Sequence, residues 1–212
     1  MTKPKQIYLI IDPSMEITEL CAKLNLVLHS NIYAVQVWDN FQNEKEIEGI
    51  LKKIKKICDQ FNTPLIINNR WQWINTLDLN GVHFDTIPSN YNSFKNQIKS
   101  KLKGITLTNN LDIMNWANEN DFSYISFCSM FPSSTANSCE LVDFDTIKKA
   151  NNTCNIPIFL AGGITSENIE TLNELNYDGI AVVSGIMKSE NPFNAINTYN
   201  EKLNKNEISY HS

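Results

Sequence analysis

The chain reads as a single α/β domain, a (β/α)8 TIM barrel, and three observations predict it. Short apolar runs alternate with helix-length segments along 212 residues, an order that demands parallel strands and right-handed crossovers. Eight strand–helix pairs can be counted, the number that closes such a barrel at the short end of its size range. The last two strands end in small residues, Ala161-Gly162-Gly163-Ile164 and Val183-Ser184-Gly185-Ile186, and the loops after strands seven and eight are where these barrels often hold phosphate. A doubly wound open sheet is the alternative. No glycine-rich fingerprint follows the first strand, which argues against it.

The first strand is read at Ile7 to Ile11, before Asp12-Pro13-Ser14. Helical spacing of Ile17, Leu20, Cys21, Leu24, Val27 and Leu28 predicts a helix over 15–29. A second strand spans Tyr33 to Trp38, and a long helix over 43–60 turns Ile47, Ile50, Leu51, Ile54 and Ile57 inward. The third strand is Pro64 to Asn68, with a helix from Trp71 to Leu77, and the fourth is Gly81 to Phe84, with a helix from Tyr91 to Ser100. Lys103 to Leu107 and Tyr124 to Cys128 are the fifth and sixth, followed by helices over 110–119 and 143–151. Ile156 to Ala161 and Asp178 to Val183 complete the set. Thr165-Ser166-Glu167-Asn168 has the cap-type residues of a helix start, expected to run over 167–175. A closing helix is read from Pro192 to Leu203. The domain is therefore set at 1–204, with a loose polar tail over 205–212.

Composition narrows the function classes. Apolar residues make up 42% and charged residues 19%, a soluble globular balance. The net charge of −5 argues against a nucleic-acid partner, and Lys52, Lys53, Lys55 and Lys56 read as a solvated helix face. No apolar run reaches the length of a membrane span, so no membrane partner is expected. The five cysteines, Cys21, Cys58, Cys128, Cys139 and Cys154, form no C-x-x-C. They fit reduced thiols, and with no signal-type stretch before the first strand the expected location is cytoplasmic.

In a barrel, function sits at strand C-termini. Those positions hold Asp12, Gln36, Trp38, Asp39, Asn68, Asn69, Arg70, His83, Asp85, Thr106, Thr108, Ser129, Ser133, Gly162, Gly163, Ser184 and Gly185. The set is polar and rich in amides, without a clustered acid pair or a metal set. A strand running into paired glycines suits phosphate, because backbone N–H groups can approach the anion. His83 is the imidazole at a strand end, and a structural role at the rim is its first reading. Cys128 is a nucleophile candidate only if something activates it. An aromatic at Trp38 can stack on a heterocycle or plug the pocket. Trp71 and Trp73 are expected on the outside of the third helix or at an interface.

Ordered along the chain, Tyr8-Leu9-Ile10, Ala34-Val35-Gln36-Val37, Ile66-Ile67-Asn68-Asn69-Arg70, Gly81-Val82-His83, Phe131-Pro132-Ser133, Gly162-Gly163-Ile164 and Ala181-Val182-Val183-Ser184 resemble the thiamine-phosphate synthase family of (β/α)8 barrels over nearly the whole chain. The family joins an aminopyrimidine methyl diphosphate to a thiazole phosphate and releases pyrophosphate, by a dissociative displacement with Mg²⁺ on the leaving group. The resemblance implies a small phosphorylated heterocycle as partner and leaves room for a homodimer. It places Gly162, Gly163, Val183, Ser184 and Gly185 at the thiazole phosphate, and Gln36 and Asn68 at the pyrimidine. Thr106 stands for a family Ser, and Arg70 keeps the Arg of the family's N-D-R. Ser133 and Thr135 stand where a T-x-T pair meets pyrophosphate.

The departures lie in the other half of the site. The family's V-Q-L-R, with a Lys two residues on, reads Val35-Gln36-Val37-Trp38-Asp39-Asn40. The Mg²⁺-binding Asp of N-D-R is replaced by Asn69, and Asp85 lies near the second metal Asp but out of register. The Lys after T-x-T gives way to Ala136 or Asn137. A second branch of the family, thiazole tautomerases, keeps the phosphate site without Mg²⁺ and uses a His just after the sixth strand, where Ser129 stands here. His83 and Ser129 are the catalytic candidates this leaves. The expected activity is synthase-like with an eroded Mg²⁺–diphosphate half. A tautomerase-like or non-catalytic barrel holding thiazole phosphate or thiamine phosphate is the alternative.

Overall fold

The computed structural model describes residues 4–133 and 140–208. Eight parallel strands close into a barrel in sequence order: β1 (Gln6–Ile11), β2 (Ile32–Val37), β3 (Leu65–Asn68), β4 (Gly81–Phe84), β5 (Leu102–Leu107), β6 (Tyr124–Cys128), β7 (Ile158–Ala161) and β8 (Gly179–Val182). Closure is made by β1 on β8, with Gln6 opposite Gly179 and Leu9 opposite Val182. The helices are α1 (Ile17–Val27), α2 (Ile47–Gln60), α3 (Trp73–Thr76), α4 (Tyr91–Phe94), α5 (Asp112–Glu119), α6 (Phe144–Ala150), α7 (Ser184–Met187) and α8 (Pro192–Ile208).

Side chains alternate along each strand, so each strand serves two cores. Leu9, Val35, Ile67, Val82, Ile105, Ile125, Leu160 and Ile180 point outward and are fully buried or nearly so against the helix layer. Tyr8, Ala34, Ile66, Tyr124, Phe159, Ala161 and Ala181 point inward and fill the barrel. Helix α2 shows why such sequences form the outer layer. Ile47, Leu51, Ile54 and Cys58 are buried along one stripe, while Lys52 pairs with Glu48 on the solvent face.

Several elements differ from the sequence reading. The Trp71 and Tyr91 segments contract to α3 and α4, the latter followed by a 3-10 turn over Lys95–Ile98. Neither has the sustained apolar period that carries a long helix. After the glycine pair, the expected helix is only a 3-10 turn, Ile169–Glu174. The closing helix runs on to Ile208, past the expected end at Leu203. Trp71 and Trp73, expected on the outside of the third helix or at an interface, are partly buried against the outer core, and Trp71 stacks on Phe94 at 4.2 Å and 7°.

Candidate active site at the barrel mouth

The inward positions at the strand C-termini meet in one cavity of about 430 Å³. Gln36 and Trp38 enter it from the end of β2, Asn68 from β3, His83 and Asp85 from β4, and Thr106 and Thr108 from β5. Its floor is aromatic, built by Tyr8, Tyr124 and Phe159. Tyr8 and Tyr124 were not picked out by sequence reasoning. The signal was available in period two: Tyr8 shares its face of β1 with Ile10, and Tyr124 its face of β6 with Ser126 and Cys128, all of which line the same cavity.

A buried hydrogen-bond chain crosses this floor. The Tyr8 hydroxyl donates to Gln36 Oε1 at 2.8 Å and lies 2.7 Å from the Tyr124 hydroxyl. Tyr124 lies 3.1 Å from His83 Nδ1, and His83 Nε2 lies 2.9 Å from Thr106 Oγ1. Burial, opposed by the charge of Asp85, lowers the His83 imidazole from 6.5 to about 4, so it is neutral at pH 7. One neutral arrangement satisfies every link. Thr106 donates to Nε2, Nδ1–H donates to Tyr124, Tyr124 donates to Tyr8, and Tyr8 donates to Gln36. Burial also raises both tyrosines far above their ordinary values, so the chain carries no charge.

The rim beside β3 and β4 is closed on itself. Asn68 Nδ2 donates to Asp85 Oδ1 at 2.9 Å, and Asn69 Nδ2 to Asp85 Oδ2 at 2.8 Å. Asn69 Oδ1 accepts the Asp85 backbone N–H at 3.0 Å. Asn68 Oδ1 accepts the Asp39 N–H at 3.2 Å. Arg70 is turned away from the mouth. Its Nη1 and Nη2 grip Glu44 at 2.7 Å each, and its Nε donates to Asp39. Asn40 Nδ2 donates to Asp12 Oδ1 at 3.0 Å.

The donor set does not suit Mg²⁺. That ion demands an octahedron of hard oxygens and takes carboxylates and phosphate. Here one carboxylate has both oxygens engaged by amide N–H groups, and the neighbouring position is the neutral Asn69. Among the described residues no group of three His, Cys, Asp or Glu is placed to hold a metal.

A second cavity, about 220 Å³, adjoins the first through Gly162, Ala181 and Val183. Its walls are Pro132 and Ser133, Gly162 to Thr165, and Ala181 to Gly185. Gly162 and Gly163 have φ of +87° and +67°, a region costly for any residue with a Cβ. A Cβ on Gly162 would lie 2.2 Å from Ser129 Oγ, and one on Gly163 2.5 Å from the Phe131 carbonyl. The N–H groups of Gly163, Ser184 and Gly185 have no partner among the described residues, which is what an anion needs.

Ser129 lies under this loop, buried, with its hydroxyl donating to the Phe131 carbonyl at 3.0 Å, and it lines neither cavity. Cys128 lines the mouth. Thr135, Ala136 and Asn137 lie outside the described residues. Residues that brace the cradle were not foreseen. Asn168 accepts the Thr165 N–H and donates to the Gly163 carbonyl, both at 2.8 Å. From α8, Tyr199 donates to the Ile164 carbonyl at 3.1 Å and Lys202 to the Ser166 carbonyl at 2.6 Å.

A closed (β/α)8 barrel with an aromatic-floored mouth and a glycine-lined loop after β7 places the chain among the single-domain (β/α)8 barrels. Residues 7–186 match the family described as thiamine monophosphate synthase, and the chain belongs to that family. It is 32% identical over 157 residues to the thiamine-phosphate synthase of Clostridium tetani, covering 74% of this chain and 75% of that one. Identity to the thiamine-phosphate synthase of Methanobrevibacter smithii is 27% over 187 residues, covering 88% and 89%. In fold it superposes on a thiamine phosphate pyrophosphorylase from Pyrococcus furiosus with a TM-score of 0.80 at 19% identity, over 94% of this chain and 96% of that one. Its function is accordingly thiamine-phosphate synthase-like. No helix among the described residues is long and apolar enough to cross a membrane.

Proposed function

We propose that this chain binds a thiazole phosphate, with the phosphate in the Gly162–Gly163 and Ser184–Gly185 cradle, and condenses it with an aminopyrimidine diphosphate only slowly, because the Mg²⁺–diphosphate half of the site is eroded. One observation carries the reading. The cradle adjoins the mouth cavity, yet among the described residues no Lys or Arg lines either of them, and the loop over 129–142 has none in its sequence. A dissociative loss of pyrophosphate needs its developing charge met by cations and donors, and each missing donor costs about 3 kcal/mol in the transition state. Two or three such losses slow the reaction on the order of 10⁴-fold or more. The proposal keeps Mg²⁺ as the ion of any residual synthase activity and a small phosphorylated heterocycle as the ligand.

The test is a coupled assay with the pyrimidine diphosphate, thiazole phosphate and Mg²⁺, run beside the Clostridium tetani relative. Thiamine phosphate formed as fast as by the relative would overturn the eroded half-site. Calorimetry supplies the second arm, with thiazole phosphate binding and inorganic pyrophosphate giving almost no heat. Absence of thiazole phosphate binding would sink the cradle assignment. Formation of no thiamine phosphate at all, with thiazole phosphate still bound, would establish the non-catalytic alternative.

A further inference from the structure

We propose that Tyr199, carried on α8, is a positioning residue of the anion cradle: its hydroxyl holds the loop after β7 in the conformation that turns backbone N–H to the cavity, and residue 185 is a glycine in order to admit that hydroxyl. The inference rests on the reading above for the cradle as an anion site.

A loop that begins with two glycines at positive φ has little conformational preference of its own, because glycine populates both hands of the backbone map. Each trans peptide unit is planar, with its C=O and N–H on opposite sides, so holding the carbonyl sets where the N–H points. Three successive units are held in this way. The Gly162 carbonyl accepts the Phe131 N–H at 3.0 Å, which directs the Gly163 N–H to the other side. The Gly163 carbonyl accepts Asn168 Nδ2 at 2.8 Å. The unit joining Ile164 to Thr165 is held at both ends, its N–H by Asn168 Oδ1 at 2.8 Å and its carbonyl by the Tyr199 hydroxyl at 3.1 Å. Asn168 belongs to the same loop and moves with it. Tyr199 ties the loop to a 17-residue helix that is seated by the buried stripe of Ile196, Tyr199 and Leu203.

Gly185 supplies a second, independent observation. Among the described glycines only Gly162 and Gly163 have positive φ, so the backbone at 185 does not require glycine. Space requires it. A Cβ there would lie 2.1 Å from the Tyr199 hydroxyl oxygen and 3.0 Å from its Cζ. The hydroxyl therefore fills the place of a side chain at 185 while it bonds Ile164, and so registers the loop after β8 against the loop after β7. Burial, aided by the charge of Glu167, pushes this hydroxyl up to about 12, and it stays a donor at neutral pH. Tyr199 lies beyond residues 7–186, the stretch matched to the family.

The experiment is calorimetry on the whole chain with thiazole phosphate and with inorganic phosphate, beside thermal unfolding of each variant. Tyr199→Phe removes one oxygen and should weaken both ligands about fivefold, at a temperature where its melting curve shows it folded. In the coupled assay the loss should fall on KM for thiazole phosphate and leave kcat unchanged, since the hydroxyl touches no reacting atom. Gly185→Ala should weaken both ligands about tenfold in the wild-type background and less than about threefold in the Tyr199→Phe background, where the closest atom is gone. Unchanged affinity in Tyr199→Phe, a loss that falls on kcat, or an equal cost of Gly185→Ala in both backgrounds overturns the proposal. Should Gly185→Ala fail to fold, recovery of the fold in the double variant supports it and no recovery overturns it. A wild type that binds neither ligand fails the cradle itself, whereas binding indifferent to Tyr199 fails this inference alone.

Discussion

His83 is the residue on which the uncharged hydrogen-bond chain across the floor turns. In the fold it titrates near 4 instead of 6.5 because burial disfavours its charged form. Between those values the unfolded chain binds a proton that the folded chain refuses, so stability is full above 6.5 and is lost as pH falls toward 4. The loss attributable to this ring should be on the order of 2–3 kcal/mol by pH 4.5. The exposed carboxylates with lowered values, Glu16, Glu44, Asp78 and Glu167, start from 4.5 or 3.8. Their contributions disappear only below that window, as pH falls through their own lowered values. Urea denaturation at pH 6.5 and 4.5 should therefore show a slope in the wild type that His83→Gln lacks, and imidazole resonances should place the His83 midpoint near 4. A midpoint near 6.5 would mean that the ring is not desolvated. Gly162 is the matching residue of the cradle. Gly162→Ala must hold a Cβ at φ +87° and 2.2 Å from Ser129 Oγ. It should lose about 2 kcal/mol of stability and at least tenfold in thiazole phosphate affinity, read by thermal unfolding and calorimetry.

At the scale of elements, the β3–β4 rim is locked by amides around one carboxylate. Asn69, at φ 58°, faces Asp85 with both its amide atoms engaged. Asn69→Asp would set two carboxylates about a hydrogen bond apart. Without metal it should lose about 1–2 kcal/mol through like-charge repulsion, and millimolar Mg²⁺ should restore that loss. The wild type should show no Mg²⁺ shift in melting temperature, and a shift there as large as in the variant would contradict the amide-locked rim. Legibility in the sequence divides along the same elements. Apolar runs marked every strand, because strands buried on both faces read as continuous hydrophobic segments. Short helices such as α3 and α4 escaped, since one turn has no period to detect. The chain of Tyr8, Tyr124 and His83 escaped for another reason. Its members lie 116 and 41 residues apart and meet only because the barrel closes. The glycine pair and Ser184–Gly185 were visible, whereas their braces Asn168 and Tyr199 act through carbonyls that no motif records.

Over the whole molecule, the two halves of the mouth belong to different stretches of chain. The cradle is built by β7, β8 and α8, and α8 also ties back to the start of β1, where Asn204 accepts the Lys5 N–H at 2.9 Å. The opposite half comes from the ends of β2, β3 and β4, where, on the reading proposed above, Trp38, Asn40 and Asn69 stand at the family's cation and metal positions. Because these elements are separate, one half can change without unseating the other. If the diphosphate half is eroded as proposed, the same separation makes that loss reversible by design. A leaving pyrophosphate must be met by all its partners at once, so single restorations should each change little and the combination should exceed their product. Trp38→Arg, Asn40→Lys and Asn69→Asp should each raise kcat/KM for thiamine phosphate formation less than tenfold. The triple variant should raise it at least a hundredfold in the coupled assay, with thiazole phosphate affinity unchanged. A folded triple variant that binds thiazole phosphate yet gains nothing would place the block on synthase chemistry outside these three positions.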